Sequence, residues 1–363
     1  MPDRGRLRYR ATVHLKGRLL GVLASLSVIA AMGVGIWAVQ PQAVDADATL
    51  SSARASQSPS PSPTPTPTPT AEPLPVLRAA APVTLEARPE PKKTRKPKPT
   101  ETPTVAAAPA LPSAEFVISS FNVLGSSHTR PGGNKPGMAS GTTRMQWAVQ
   151  LVERHGVDVV GFQELEEDQL HTFNRLAGGR FGIYPGMQLG KPETRNSLAW
   201  RTSTWQLLEA QYIDIPYFDG NLRKMPVVLL QHRATGRQAW FANFHNPAST
   251  KRVGNQQHWR NVATAKEIDL ANRLRASGNP VFFTGDMNEK ASYFCALTGR
   301  APMIAANGGS NSGGCRPPGN MKIDWIFGSN DASFTGYFAD RSAMVQKTSD
   351  HAMIVSRAVL AGQ

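Results

Sequence analysis

From residue 114 onward, short apolar runs alternate with amphipathic stretches, the pattern of strands and helices packed in layers. Residues 116–123, 157–162, 197–200, 225–230, 238–243, 281–284, 323–327 and 353–355 read as strands. Residues 144–155 predict a helix with Met145, Ala148, Val149 and Val152 on one face. A second long helix fits 255–277, where Trp259, Val262, Ala263, Leu270 and Leu274 recur at helical spacing. Many strands and two clear helices predict an α/β or α+β domain in which helices cover sheet faces.

The first 113 residues read differently. They hold 18 of the 29 prolines in the 363-residue chain, a composition that cannot bury a core. Arg4, Arg6, Arg8, Arg10, Lys16 and Arg18 precede an uncharged run at 19–39, which as a helix is long enough for a bilayer core. Residues 1–18 are then a basic cytoplasmic segment and 19–39 a transmembrane anchor, with the remainder outside the cell. The competing reading is a cleaved signal sequence with Ala46-Asp47-Ala48 as its site; both readings export the domain. Residues 40–113, with their Ser-Pro and Thr-Pro alternation, predict a disordered Pro-rich linker, an extended spacer ahead of a domain at 114–363. The basic cluster 92–98 reads equally as a solvated part of that linker or as a contact for an anionic polymer.

The domain carries 26 basic against 19 acidic residues, an excess that suits an anionic substrate without specifying chemistry. Two cysteines exclude a disulfide-rich miniprotein and a four-cysteine zinc module. In an exported protein Cys295 and Cys315 predict one disulfide, and closing a loop of that size contributes ~3 kcal/mol in the chain-entropy model.

The candidate chemistry sits where strands end. Glu164 follows a strand through Gln163; Asp286 and Asn288 follow another and, two apart, can face one site. Asn122 closes the first strand, His245 follows 240–244, Asp324 lies within Lys322-Ile323-Asp324-Trp325, and Asp350-His351 precede the last strand. Carboxylates and an amide suit Mg²⁺, with Mn²⁺ or Ca²⁺ as alternatives, while imidazoles move protons. Two phosphate-site look-alikes fail on context: 186–191 is one residue short of a P-loop, and the glycines at 33 and 35 lie inside the apolar run. The loop 128–144, with Arg130, Lys135, Arg144 and no acid, reads either as a contact for a phosphate backbone or as a plain mobile loop.

Six tetrapeptide-scale motifs, Ser120-Phe121-Asn122-Val123, Gly161-Phe162-Gln163-Glu164, Asn243-Phe244-His245-Asn246, Gly285-Asp286-Met287-Asn288, Ile323-Asp324-Trp325-Ile326 and Ser349-Asp350-His351, together resemble the endonuclease/exonuclease/phosphatase superfamily, in its order and approximate spacing. The resemblance implies a deoxyribonuclease I-like four-layer sandwich, two packed mixed β-sheets flanked by helices. It implies that Glu164 ligates Mg²⁺ with Asn122 beside it, and that Asp286 and Asn288 orient water and phosphoryl oxygens. His351 would act as acid, base or charge stabiliser, oriented by Asp324, with Asp350 assisting the metal or the leaving group. His245 resembles the deoxyribonuclease I, sphingomyelinase and inositol-phosphatase branches; Glu193 and Thr194 are the candidates to orient it. A disulfide at Cys295 and Cys315 also resembles secreted deoxyribonucleases.

These readings predict an exported, divalent-metal-dependent phosphodiesterase acting first on nucleic acid, membrane-bound through 19–39 and without a protein partner. An inositol-phosphate phosphatase or sphingomyelinase-like enzyme is the alternative; it would need a closed pocket or an apolar membrane-facing hairpin, and no exposed aromatic hairpin is legible. A catalytically silent binding module would lack a ligand, whereas the whole set is present.

Overall fold

The computed structural model describes residues 110–362. The expected basic segment and anchor, and the expected Pro-rich linker up to residue 109, lie outside the described residues. Among the described residues no helix is long and apolar enough to cross a membrane.

Twelve strands form two six-stranded sheets. The first contains β1 (Ala114–Asn122), β2 (Val159–Gln163), β3 (Phe181–Tyr184), β4 (Leu198–Arg201), β11 (Ala332–Asp340) and β12 (Met353–Leu360), in the order β11-β12-β1-β2-β4-β3. The second contains β5 (Trp205–Pro216), β6 (Leu222–His232), β7 (Gln238–His245), β8 (Val281–Asp286), β9 (Met303–Ala305) and β10 (Asp324–Ser329), in the order β5-β6-β7-β8-β10-β9. The long helices are α1 (Gly141–Arg154), α2 (Glu167–Ala177), α4 (Gln257–Arg275) and α5 (Ala291–Arg300), with short α3 (Lys191–Thr194) and α6 (Ala343–Thr348).

Three apolar clusters separate four layers. Phe116, Ile118, Trp205, Phe241, Phe282 and Ile326 fill the space between the sheets. Met145, Val149, Phe162 and Phe173 pack α1 and α2 on the outer face of the first sheet. Ile268, Leu270, Tyr293, Phe294 and Trp325 pack α4 and α5 on the second. This is the four-layer sandwich that the sequence predicts. The sequence-predicted strands are present, most of them longer than their apolar runs; α2, α5, β5 and β11 were not read from the sequence. On β5 half of the residues are exposed, five of them in a row, which leaves no strand alternation to read.

Each sheet has one parallel pair, β1 with β2 and β7 with β8. A parallel pair needs a crossover, and the two predicted helices, α1 and α4, supply them. Beneath the site a polar plug joins the two pairs: Gln163 Nε2 donates to Asn243 Oδ1 at 2.6 Å, and Asn243 Nδ2 donates to the Phe162 carbonyl at 2.7 Å. Gly161 is required there, because a Cβ would collide with the Thr284 hydroxyl and the Asn243 amide.

Candidate active site

The four parallel strands end side by side and deliver Asn122, Glu164, His245 and Asp286 to one end of the sandwich. Asn122 Nδ2 spans the two sheets, reaching Glu164 Oε1 at 3.0 Å and Asp286 Oδ2 at 3.2 Å. Asp324 starts β10 directly opposite Asp286 in the antiparallel register. His351 enters from the turn after α6, where the Ser349 hydroxyl accepts the His351 N–H and donates to the Asn122 carbonyl at 2.6 Å. Asp350 and His351 both line a small pocket with Arg341, Val345, Gln346 and Ser349.

His351 Nδ1 lies 2.9 Å from Asp324 Oδ1, and its Nε2 lies 3.7 Å from Asp286 Oδ2. His245 Nε2 is 3.6 Å from the same Asp286 oxygen. Asp324 thus lies within hydrogen-bond distance of the His351 ring. Burial alone would depress the His351 imidazolium, but the bond to Asp324 and the charges of Asp324, Asp286 and Asp350 lift it to about 10. Asp286 is fully enclosed, and burial together with Asp324 raises its carboxyl above the ordinary range against the pull of His245 and His351.

Glu164 behaves in the opposite way. Burial opposes its charge, yet the bond from His128, the field of His245 and the bonds from Asn122 and the Gly125 N–H hold it well below the usual carboxylate range. His128 Nε2 sits 3.1 Å from Glu164 Oε2, and the Gly125 N–H donates to the same oxygen at 3.0 Å. Three non-glycine residues at the site have left-handed backbone: Leu124 (φ 54°), Glu164 (φ 60°) and Asn288 (φ 49°). Each such residue costs on the order of 1–3 kcal/mol, and clustering of this kind accompanies functional sites. The Asn288 N–H donates to Asp286 Oδ1 at 3.0 Å, while its Nδ2 donates to the Asn246 carbonyl at 2.8 Å.

Asn122, Glu164, His245, Asp286, Asn288, Asp324 and His351 thus converge. Asp350 stands at the rim, paired with Lys135 at 3.0 Å. Cys295 and Cys315 are bonded, with Cα atoms 5.5 Å apart.

Three expectations need correction. Glu193 and Thr194 do not orient His245: Glu193 Oε2 accepts the Lys224 N–H and the Thr194 hydroxyl donates to the Gly186 carbonyl. Asp286 and the edge of the Tyr217 ring, 5.3 Å away, face His245 instead. Arg144 is no phosphate contact; it is fully buried and donates to the carbonyls of Val123, Leu124, Gly125, Ala139 and Thr348, tying the site loop to α1 and α6. The β5–β6 hairpin does expose apolar side chains, Leu207, Leu208, Tyr212 and Leu222. His128 was missed, because a histidine in a glycine-rich loop carries no strand-end signal.

The donor set suits a hard divalent cation. Glu164 is ionised, partly open and beside an amide, a fit for oxygen-seeking metals. Asp286, Asp324 and His351 also bring their ligand atoms within 4.8 Å of one another. There, however, both ring nitrogens of His351 face carboxylates, which favours a held proton over a lone pair offered to metal.

A sandwich with carboxylates and imidazoles gathered at one end matches a family whose members hydrolyse phosphate esters. The sequence profile of the Endonuclease/Exonuclease/phosphatase family matches residues 119–351, and the chain belongs to that family. Enzymes of the family depend on a divalent metal.

Among solved structures, an endonuclease/exonuclease/phosphatase family protein from Bacteroides thetaiotaomicron is similar at 17% identity and TM-score 0.52, over 68% of this chain and 98% of that one. The human Nocturnin catalytic domain with bound sulfate is similar at 15% identity and TM-score 0.52, over 67% and 94%. TDP2 from D. rerio complexed with single strand DNA product is similar at 16% identity and TM-score 0.50, over 68% and 99%. No curated protein matches the sequence.

Proposed function

We propose that this protein is an exported, Mg²⁺-dependent phosphodiesterase whose substrate is nucleic acid. The observation that carries the reading is the division of the site: Glu164 is held by His128, Asn122 and the Gly125 N–H, while His351 is held by Asp324. Glu164, with Asn122 next to it and Asp350 at the rim, would hold the cation, which when bound neutralises the non-bridging oxygens. Asp286, its backbone turned by Asn288, accepts a proton from the attacking water as the new P–O bond forms. His351 and His245 present N–H groups to the charge that builds on the phosphoryl oxygens, and Asp324 fixes the His351 ring. As the bond to the leaving oxygen breaks, a proton returns to that oxygen, and His351 is the group placed to give it.

Nucleic acid is favoured by the open rim. Arg130 and Arg195 stand about half exposed around Glu166, and Lys135 beside Asp350. Cations on an open rim suit a polyanion longer than one phosphate. The DNA product bound by the D. rerio TDP2 structure is consistent with this choice. Incubating the full chain with plasmid, RNA, inositol phosphates and sphingomyelin, each with Mg²⁺ and with chelator, tests the proposal. Turnover of only inositol phosphate or sphingomyelin would reverse the substrate assignment, and full activity in chelator would overturn the metal. Fractionation of cells tests export: protein retained on membranes and open to external protease supports the anchor at 19–39, whereas a mature N-terminus at Thr49 supports the cleaved signal.

A further inference from the structure

Directly behind the site, on the helix-covered face of the second sheet, three polar side chains are sealed among apolar ones. They are Asn246, which follows β7, Glu267 of α4 and Tyr293 of α5, each 0–1% exposed. Asn246 Oδ1, both Glu267 carboxyl oxygens and the Tyr293 hydroxyl are buried without a hydrogen bond of normal geometry. Tyr293 and Asn246 nevertheless lie against the Glu267 carboxyl, and no charged group opposes it. Tyr293 is the titratable side chain facing Glu267; from the sheet side Asn246 presents only an amide.

The main chain of Asn246 is part of the site. Its N–H donates to the Asp286 carbonyl at 2.9 Å, and its carbonyl accepts from Asn288 Nδ2 at 2.8 Å. Whatever fixes Asn246 therefore fixes two site residues. An ionised Glu267 can only accept, from the Tyr293 hydroxyl and the Asn246 amide, and leaves Asn246 Oδ1 without a donor, whereas a carboxylic acid can supply one. We propose that Glu267, as an uncharged carboxylic acid, and Tyr293 form a buried positioning pair that locks Asn246 and, through its main chain, sets Asp286 and Asn288. The catalytic consequence rests on the phosphoesterase reading; the state of the carboxyl does not.

Burial pushes the Glu267 carboxyl up to about 7 from an ordinary 4.5. The folded protein therefore holds an extra proton between those values, so the contribution of Glu267 to stability is greatest below 4.5 and falls as pH rises through about 7. Full-chain wild type, Glu267→Gln and Tyr293→Phe test this by thermal denaturation from pH 5 to 8.5, amide NMR shifts of Asn246 and Asn288 without substrate, and kcat and KM on bis(p-nitrophenyl) phosphate with Mg²⁺.

The Tm advantage of Glu267→Gln over wild type should grow by several degrees across that range. The two amide signals should titrate near pH 7 in wild type and stay constant in Glu267→Gln. Tyr293→Phe should lower kcat about fivefold at a KM within about twofold of wild type, and Glu267→Gln should keep its kcat toward alkaline pH better than wild type does. Parallel Tm curves or pH-independent amide shifts in wild type would overturn the uncharged carboxyl. Unchanged kcat and unchanged amide shifts in Tyr293→Phe would overturn the positioning role. If no protein cleaves the probe, the phosphoesterase reading fails while the Tm and NMR results still decide the buried pair.

Discussion

The two sheets contribute unlike halves to one site. From the first come Asn122 and Glu164, where backbone and side-chain donors keep a half-open carboxylate charged. From the second come His245, Asp286 and Asp324, where enclosure raises the Asp286 carboxyl and, with His351, keeps a proton close at hand. Residues of similar chemistry, Glu164 and Asp286, are thus driven in opposite directions by what surrounds them. On the proposed reading the first half would hold a cation and the second a proton, and Asn122 bonds to both.

The sharpest way to break this comparison is Glu164→Ala. If the first half alone holds the cation, Mg²⁺ binding by calorimetry should vanish and turnover fall by roughly 10³-fold or more. Chelator should mimic the variant in wild type, with activity returning on Mg²⁺ addition. His351→Ala should lose about 10²–10⁴-fold in kcat while still binding Mg²⁺. Loss of metal binding in His351→Ala would move the cation to the second half and dissolve the distinction. Asp324→Asn should cost less than His351→Ala, since it leaves the ring in place but misdirects its proton.

Smaller effects test the frame that holds the halves together. Arg144→Met strands the carbonyls of Val123, Leu124, Gly125, Ala139 and Thr348, and should destabilise the domain by about 3 kcal/mol or more in chemical denaturation. Cys295→Ser with Cys315→Ser should cost up to about 3 kcal/mol while leaving turnover per folded molecule near wild type. Ser140→Ala removes the side-chain acceptor for the Thr143 N–H at the start of α1, and a loss of about 1 kcal/mol is expected.

Much of the site was legible because the second half and the first share one grammar. Strands buried on both faces read as apolar runs, and a polar residue at the end of such a run has no structural need to be there. Asn122, Glu164, His245, Asp286, Asn288 and Asp324 all stand out for that reason, and their order supplied the family. Helices α1 and α4 were legible because each presents an apolar stripe to a sheet face. Arg144 was misjudged because an arginine among glycines looks solvated; only the packing of α1 under the site loop makes it a buried clamp for carbonyls. Glu193 and Thr194 failed as partners for His245 because no pattern along the chain sets the distance between loops of different sheets.

The sequence by itself determined an α/β or α+β class through local periodicity, and the order of the motifs and their chemical types, whose resemblance to the family implied the four layers. Tertiary structure decided which carboxyl is pushed below the ordinary range and which above it. Glu164 is pushed down only when His128, Gly125 and Asn122 converge on it, and Glu267 is pushed up only when α5 closes over α4. Ionisation answers to burial and to donors brought from distant positions in the chain, so the residue type of Glu267 alone does not reveal that its carboxyl is sealed in the core.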